Sequence, residues 1–175
     1  MLAVAPALLR LAGLALATGL GWLGIALDLA PLSGDARGWP LPDLLFVVMA
    51  CLVLRRAALV PAPLVFALGL VRDLLAGGAV GPATLGLLLG IEILRGHAPA
   101  LRRRSFAMEW LQVGGVAVIA LALPVGLLWL TLADVPPLSD LLARLAATVA
   151  AYPIAVALLR VGHEGPRTEA EAGRT

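Results

Sequence analysis

Four charged residues inside apolar stretches are the side chains best placed to do chemistry in this chain. Arg72 and Asp73 are adjacent within Val65–Gly90, a segment that is otherwise apolar and turns glycine-rich just after the pair. Asp140 and Arg144 lie near the start of the last apolar stretch. A charge in a lipid-soluble segment costs about 3 kcal/mol or more, so it persists there only with a partner or a function.

Acid–base catalysis is one function that such residues could serve. Two aspartates that share a site, Asp73 and Asp140, would divide acid and base roles as in an aspartic protease. An arginine close to each works against a shared proton, so we disfavour this reading. Nucleophilic catalysis needs a histidine beside the nucleophile, but His97 and His163 fall in segments predicted to be cytoplasmic. We therefore expect no catalytic residue, no cofactor and no metal site.

A structural ion-pair cluster is the interpretation that we favour. Adjacent residues on a helix do not face each other, so Arg72 and Asp73 should each find a partner on another helix. The candidate cross-pairs are Asp73–Arg144 and Arg72–Asp140, which would join the third and sixth helices. Asp140 and Arg144 could instead pair with each other at i, i+4. Snorkelling of unpaired side chains to the interface is the remaining alternative.

Composition places the elements that hold these residues in lipid. Hydrophobic residues make up 61% of the 175 residues and charged residues 14%, and the mean hydropathy is +1.00. A soluble domain has about 45–50% apolar and about 25% charged residues, and a chain of this length cannot bury so much apolar surface alone. The small net charge of +2 does not favour a nucleic-acid partner.

Six apolar segments are predicted to be transmembrane helices, because helices satisfy their own backbone groups in lipid. They are Leu8–Ala30, Leu41–Leu54, Ala57–Ala76, Val80–Leu94, Met108–Ala133 and Leu138–Leu159. The second to fourth are short, and one of them could be re-entrant. We predict an all-α integral membrane protein, a compact bundle of six transmembrane helices that forms one domain over residues 1–161. Residues 162–175 are polar and are predicted to be a disordered cytoplasmic tail.

The distribution of arginine predicts that both termini are cytoplasmic. Ten arginines fall in the segments placed inside and only Arg37 falls outside. A cleaved signal peptide is disfavoured, because Leu11–Leu27 exceeds an apolar signal region of about 7–15 residues. Four arginines form a predicted cytoplasmic basic cluster: Arg95, Arg102, Arg103 and Arg104. This cluster is a topology signal and an anionic-lipid contact, with docking of a cytoplasmic protein as the alternative; Glu92 should pair with Arg95.

Small residues form a second pattern. Gly13, Ala17 and Gly21 recur every four residues on the first span, and Gly86 and Gly90 do so on the fourth. Such stripes let helix backbones approach closely in lipid, so packing inside the bundle is favoured over a surface for another membrane protein. Three further glycines are predicted to serve helix packing: Gly69, Gly77 and Gly81. The lone Cys51 is expected to be a buried thiol.

The stretch Pro42–Gly90 resembles the rod-shape-determining membrane protein family MreD, whose central signature is Gly-Leu-x-x-Asp-Leu followed by glycines. The matching residues are Pro42-Asp43, Arg55-Arg56, Phe66, Gly69-Leu70, Asp73-Leu74-Leu75, Gly77 and Gly81. The resemblance implies a non-enzymatic, multi-pass protein of the bacterial inner membrane. Such a protein scaffolds or regulates peptidoglycan synthesis during cell elongation, together with MreC, the MreB filament, and RodA with its transpeptidase partner.

The same family is similar in helix count to the substrate-binding subunits of energy-coupling-factor transporters, which supply the main alternative. A vitamin-type pocket needs several converging polar groups. The spans offer few, namely Thr18, Thr84, Gln112, Thr131, Thr148 and Tyr152. We therefore expect no small-molecule substrate, and we expect the charged cluster to present a surface to MreC.

Overall fold

The computed structural model describes residues 4–30, 41–77, 79–132 and 135–161, which form six α-helices and no β-strand. The helices are α1 (Val4–Leu29), α2 (Leu44–Arg56), α3 (Ala62–Ala76), α4 (Pro82–Leu101), α5 (Phe106–Leu130) and α6 (Leu138–Val161). A single 3₁₀ turn, Ala57–Leu59, follows α2. The predicted all-α fold is confirmed for these residues, and the predicted tail 162–175 lies outside them.

Helix α2 is the centre of the bundle. It contacts α1, α4 and α6, and nine of its 13 residues are buried. A helix that is apolar on every side is expected to lie inside a structure, and α2 has no polar side chain except Cys51 before Arg55. The thiol of Cys51 is fully buried, in agreement with its predicted place. At a rise of about 1.5 Å per residue, α2 is roughly 20 Å long.

Three helices are long and apolar enough to cross a membrane. These stretches are Arg10–Leu29 in α1, Phe106–Leu130 in α5 and Leu138–Leu159 in α6. Each presents large apolar side chains outward, including Trp129 at 70% and Leu130 at 81% exposure. A continuous apolar exterior of this kind fits a membrane protein. Helices α2 and α3, with 13 and 15 residues, fall below the usual length of about 17–25 residues for an independent span.

Three predicted helix boundaries are corrected by the structure. Helix α2 begins at Leu44, because Asp43 caps its first turn. The predicted span Ala57–Ala76 is divided, since the 3₁₀ turn precedes Pro61 and α3 begins after it. Helix α4 continues to Leu101 instead of ending near Arg95, because the charges there are paired and bonded and do not end the helix.

Glycines let α4 and α5 pack closely. A Cβ on Gly86 would lie 2.2 Å from the backbone oxygen of Ala120 and 2.9 Å from the ring of Pro124. A Cβ on Gly90 would lie 3.1 Å from the Cβ of Ala120. The stripe on α4 therefore packs inside the bundle, where only a hydrogen atom fits beside the α5 backbone.

The stripe on α1 also faces inward. A Cβ on Gly13 would approach Leu59 to 2.5 Å, and one on Gly21 would approach Leu68 to 2.5 Å. Ala17 between them is 1% exposed. These neighbours are flexible side chains, so the contact is less rigid than the one between α4 and α5.

The glycines of the α3–α4 connection have different roles. A Cβ on Gly69 would lie 3.0 Å from Thr84, so Gly69 packs α3 against α4. The assignment of Gly77 and Gly81 to helix packing is wrong, because a Cβ on either would meet nothing within 4 Å. Gly77 ends α3 with φ +70°, and Gly81 precedes Pro82 with φ +112°. Both positions need the positive φ that glycine adopts without strain.

Candidate functional site

Polar side chains gather at the two opposite ends of the bundle. At one end lie the last turns of α1 and α3 and the first turns of α2, α4 and α6. Seven residues there form what we call the Asp43 network: Asp28, Asp43, Arg72, Asp73, Thr84, Arg144 and Thr148. At the other end, Arg55, Glu109 and Tyr152 form the Glu109 network.

Asp43 is the centre of its network. Its Oδ1 accepts the backbone N–H of Phe46 at 2.9 Å, which caps α2. Both carboxylate oxygens lie 2.9 Å from Nη1 of Arg72. Its own N–H donates to the hydroxyl of Thr148 at 2.8 Å. A carboxylate at this position satisfies free N–H groups and suits the positive end of the helix dipole.

Arg72 joins three helices through one guanidinium. It is 7% exposed and is held by Asp43 at the start of α2. Its Nη2 donates to the carbonyl of Ala83 in α4 at 3.4 Å, and its Nε lies 4.0 Å from the carboxylate of Asp73. Removing one partner of a buried pair leaves an uncompensated charge, so Arg72 and Asp43 depend on each other.

Asp73 lies on α3 and caps the start of the next helix, α4. Its Oδ2 accepts the N–H of Gly81 at 2.9 Å, the N–H of Thr84 at 3.1 Å and the hydroxyl of Thr84 at 2.8 Å. The first N–H groups of a helix have no partner within the helix, and Asp73 supplies one for α4. Together with Gly77 it closes the turn between α3 and α4.

Helices α6 and α1 complete the network. Nη2 of Arg144 lies 3.6 Å from Oδ2 of Asp43. The hydroxyl of Thr148 donates to the carbonyl of Arg144 at 2.7 Å while it accepts from Asp43. From α1, Oδ1 of Asp28 accepts the N–H of Leu44 at 3.0 Å. The first turn of α2 is therefore bonded to the last turn of α1 and to α6.

A cavity of about 260 Å³ opens beside this network. One side is charged, and is formed by Asp28, Asp43, Arg72, Asp73 and Arg144. Helix α5 contributes apolar lining residues, namely Ala117, Ala120, Leu121, Pro124, Val125 and Leu128. The cavity is therefore lined by charged side chains and by an apolar stretch of α5.

Three of the four predicted cluster residues, Arg72, Asp73 and Arg144, lie in one network with Asp43, whereas Asp140 lies outside it. The network joins α3 and α6 through Asp43, and the cross-pairs Asp73–Arg144 and Arg72–Asp140 do not form. Asp140 is exposed and accepts only from the hydroxyl of Ser139, at 3.2 Å, among the described residues. Asp43 was missed as a partner, although an aspartate directly before an apolar helical run is a typical N-cap signal.

The Glu109 network was also missed by sequence reasoning. Oε1 of Glu109 accepts from Nη2 of Arg55 at 2.9 Å and from the hydroxyl of Tyr152 at 2.5 Å. Glu109 is 7% exposed, and Tyr152 is fully buried, with the ring of Phe106 stacked 6.4 Å away. Glu109 is a lone carboxylate in the first turn of an apolar helix, the same signal that singled out Arg72 and Asp73.

The four arginines of the predicted basic cluster fall into two groups, those that bond to backbone carbonyls of the described residues and those that do not. Arg95 pairs with Glu92 at 3.0 Å, as predicted, and it donates to two carbonyls in the segment between α2 and α3. Arg102 donates to a carbonyl in the last turns of α2 at 2.8 Å. Carbonyls at a helix C-terminus lack partners within the helix, so Arg102 completes the end of α2, and Arg95 bonds to the connection that follows it. Arg103 and Arg104 are exposed.

The hydrogen bonds of the two networks are suited to holding helices in place and to binding polar groups. The carboxylates of Asp43 and Asp73 accept from backbone N–H groups, a hydroxyl and a guanidinium. Across the described ranges, no cluster of three or more His, Cys, Asp or Glu side chains is arranged to hold a metal ion. The candidate site is therefore the Asp43 network with its cavity, and what it offers is a set of charged donors and acceptors beside an apolar wall.

No family model, curated protein or solved structure matches this chain.

Proposed function

We propose that this protein is a non-enzymatic scaffold of the bacterial inner membrane that acts in the cell-elongation machinery, as proteins of the MreD family do. In this role it acts with MreC, MreB, RodA and the transpeptidase partner of RodA, to hold or regulate peptidoglycan synthesis. The observation that carries the proposal is that the central motif residues meet in one structural unit. Asp43 caps α2 and holds Arg72, and Asp73 caps α4 across the turn that Gly77 and Gly81 form.

The contacts of these residues favour a scaffold over an enzyme. Arg72 and Asp73 bond to the starts of α2 and α4, so they fix the relative positions of three helices. A protein that presents a surface to partners needs fixed helix positions, because a rigid surface loses less entropy on association.

The proposal includes six crossings with both termini in the cytoplasm. The Glu109 end, which carries Arg55 and Arg102, would then face the cytoplasm, and the Asp43 end would face outward. Arginine on the cytoplasmic side supports this orientation. It is not required that α2 span the bilayer alone, because protein surrounds it on most sides.

Two matched serines test this orientation. Ser105 lies between α4 and α5 and Ser139 lies at the start of α6, and both are exposed. In a Cys51→Ala background, Ser139→Cys should react with a membrane-impermeant maleimide in intact spheroplasts. Ser105→Cys should react only after permeabilisation. Labelling of both from the same side would contradict the six-span topology.

Recovery of partners from native membranes tests the function. The full chain, tagged and solubilised in mild detergent, is expected to enrich MreC relative to a tagged membrane protein of equal abundance. Arg144→Ala, on the outer side of the Asp43 network, is expected to lower that recovery, while Asp140→Ala on the same helix is not. Absence of MreC from the wild-type eluate, with the protein folded and monodisperse, would overturn the scaffold proposal.

A second candidate is supported by the cavity at the Asp43 end. A substrate-binding subunit of an energy-coupling-factor transporter would hold a water-soluble molecule in such a cavity, between polar and apolar walls. Mass spectrometry of extracts from the purified protein tests this candidate. A tightly bound, water-soluble molecule in near-equal amount to the protein would replace the scaffold proposal.

A further inference from the structure

The outer side of α3 and α4 is an apolar surface of unusually small height. Helices α3, α4 and α5 pack side by side in one layer of the bundle, and α1, α2 and α6 form the other. Helix α4 packs against α2 in the other layer and exposes Leu85 and Leu89. Helix α3 beside it exposes Phe66, Leu74 and Leu75. We call these five residues the α3–α4 face; it adjoins the apolar exterior of α5.

The apolar stripe of α4 on this face ends after about two turns. Leu85, Leu89 and Glu92 are spaced by four and three residues, so they lie on the same side of the helix. The side chain of Glu92 is 41% exposed, so the outward stripe becomes charged at that position. The rise from Pro82, the first residue of α4, to Glu92 is roughly 15 Å.

The turn between α3 and α4 is the other limit of the face. Gly77, Ala79 and Val80 in this turn are exposed and are not helical. An irregular backbone that faces lipid cannot lie in the hydrocarbon layer, because its N–H and C=O groups would have no partner there. The turn therefore lies at the membrane interface. Helix α3, which leads into it, has 15 residues and rises only roughly 22 Å.

The charges at the lower limit are held in place. Arg95 pairs with Glu92 at 3.0 Å and donates to the carbonyls of Ala57 and Val60. These bonds hold the guanidinium against the connection between α2 and α3, so it cannot extend along the helix to a more distant headgroup layer. A tilt of α4 would only reduce its height across the membrane. Glu92 and Arg95 therefore mark the headgroup level on this face.

Helix α5 in the same layer fits a much thicker hydrocarbon region. Its 25 residues rise roughly 37 Å, and its only charged residue, Glu109, is buried. Leu111 and Trp129, near its two ends, are exposed. The hydrocarbon core of a bilayer is about 30 Å thick. A helix that is too long for this core can tilt, whereas one that is too short is accommodated by thinning of the bilayer.

We propose that the α3–α4 face thins the bilayer that it contacts, to a hydrocarbon layer of roughly 15–22 Å. Lipid is the occupant of this face because the face is continuous with the apolar exterior of α5. Arg103 and Arg104, exposed where α4 leads into α5, supply positive charge for anionic headgroups at its lower edge. The proposal rests on the six crossings proposed above and does not depend on the scaffold function.

The depth of spin labels in a bilayer tests this proposal. In a Cys51→Ala background, the full chain carries a nitroxide at Leu85→Cys, Leu89→Cys or, in the middle of α5, Val118→Cys. It is reconstituted into vesicles of dioleoyl phosphatidylcholine and phosphatidylglycerol, and collisions with oxygen and with a water-soluble nickel chelate give each depth. The deeper α4 label should lie about 4–7 Å nearer the headgroups than the Val118→Cys label, since its layer has less than the usual half-thickness of about 15 Å. Equal depths would overturn the proposal.

Glu92→Leu tests whether this residue sets the lower limit of the face. The substitution extends the apolar stripe of α4 by about one turn, or about 5 Å, so the Leu89→Cys label should move about 2–3 Å deeper. Asp140→Leu, at an exposed position on α6 in the other layer, should leave the depth of that label unchanged. An unchanged depth in folded Glu92→Leu would overturn the assignment of the limit to Glu92.

Collisions with oxygen also distinguish lipid from a protein partner. Labels that face lipid should collide with oxygen at Leu85→Cys and Leu89→Cys about as often as at Val118→Cys. A severalfold lower rate on α4 alone would mean that a second copy covers the face, and it would overturn the lipid contact. The labelling of Ser105→Cys and Ser139→Cys reports the crossings separately, so a wrong topology and a bilayer of ordinary thickness give different results.

Discussion

The two ends of this bundle hold their buried charges in different ways. At the Asp43 end, five charged side chains from four segments line a cavity, and their partners include the first turns of α2 and α4. At the Glu109 end, one buried carboxylate meets a half-exposed arginine and a tyrosine hydroxyl, and Arg102 completes the end of α2. The charged side chains at the Asp43 end therefore position helices around a cavity. Those at the Glu109 end bond to one another and to the last turns of α2.

The sharpest test of this difference is Asp43→Ala. The substitution removes the cap of α2 and leaves Arg72 buried without its main partner, so the free energy of unfolding should fall by about 3–5 kcal/mol. Unfolding in mixed micelles with increasing dodecyl sulfate measures it. Asp140→Ala, also at this end but exposed, should change stability by less than about 0.5 kcal/mol. Equal unfolding midpoints for the two variants would remove the special role of Asp43.

A second test compares glycines of α4 near the two ends. Gly86→Ala places a methyl group against the α5 backbone beside the cavity and should cost about 3 kcal/mol, because backbone yields less than a side chain. Gly96→Ala meets nothing within 4 Å and should be neutral or stabilising by up to about 1 kcal/mol. The same unfolding assay compares them. A Gly86→Ala protein as stable as Gly96→Ala would show that the wall of the cavity adapts.

Glu109→Ala measures how much the Glu109 network contributes to the free energy of unfolding. Tyr152 would keep a buried hydroxyl without a partner, whereas Arg55, with 39% of its side chain exposed, can turn toward water. We expect a loss of about 1–3 kcal/mol, below that of Asp43→Ala. Glu92→Ala is the matched control, since 41% of that side chain is exposed. A loss that equals or exceeds that of Asp43→Ala would reverse the ranking of the two ends.

The smallest effect is expected from Arg102, which completes the end of α2. Arg102→Gln removes a donor to the carbonyl of Leu54 and should cost about 0.5–1.5 kcal/mol. The adjacent exposed Arg103→Gln should cost nothing measurable. Thermal unfolding of the two variants in detergent gives the difference. Equal melting temperatures would mean that this bond does not contribute to stability.

Local patterns were sufficient to predict the helices and some of the faces that pack inward. Apolar runs long enough for a helix gave all six, and the four-residue spacing of small residues on α1 and α4 marked faces that pack inward. The same reasoning placed Gly77 with these residues, although it ends a helix at positive φ. Spacing alone does not show whether a glycine is needed for close packing against a neighbouring helix or for a positive φ.

The sequence alone could not show which buried polar side chains pair with each other. Asp140 is one candidate partner for Arg72, because both lie in apolar segments at similar predicted depth. In the structure the partner of Arg72 is Asp43, 29 positions earlier in the chain, which arises from the packing of α3 beside the start of α2. Glu109 and Tyr152 meet for a similar reason, at a separation of 43 positions. Such pairs depend on how the helices are arranged, and no periodicity within one segment encodes that.

The central position of α2 has a consequence for biosynthesis. The ribosome makes α2 before α4 and α6, the two helices that complete its surroundings. During that interval α2 lacks two of the helices that bury it, because they have not been translated. A nascent chain stalled before α4 should leave the thiol of Cys51 open to alkylation, whereas the finished chain, in which it is fully buried, should protect it.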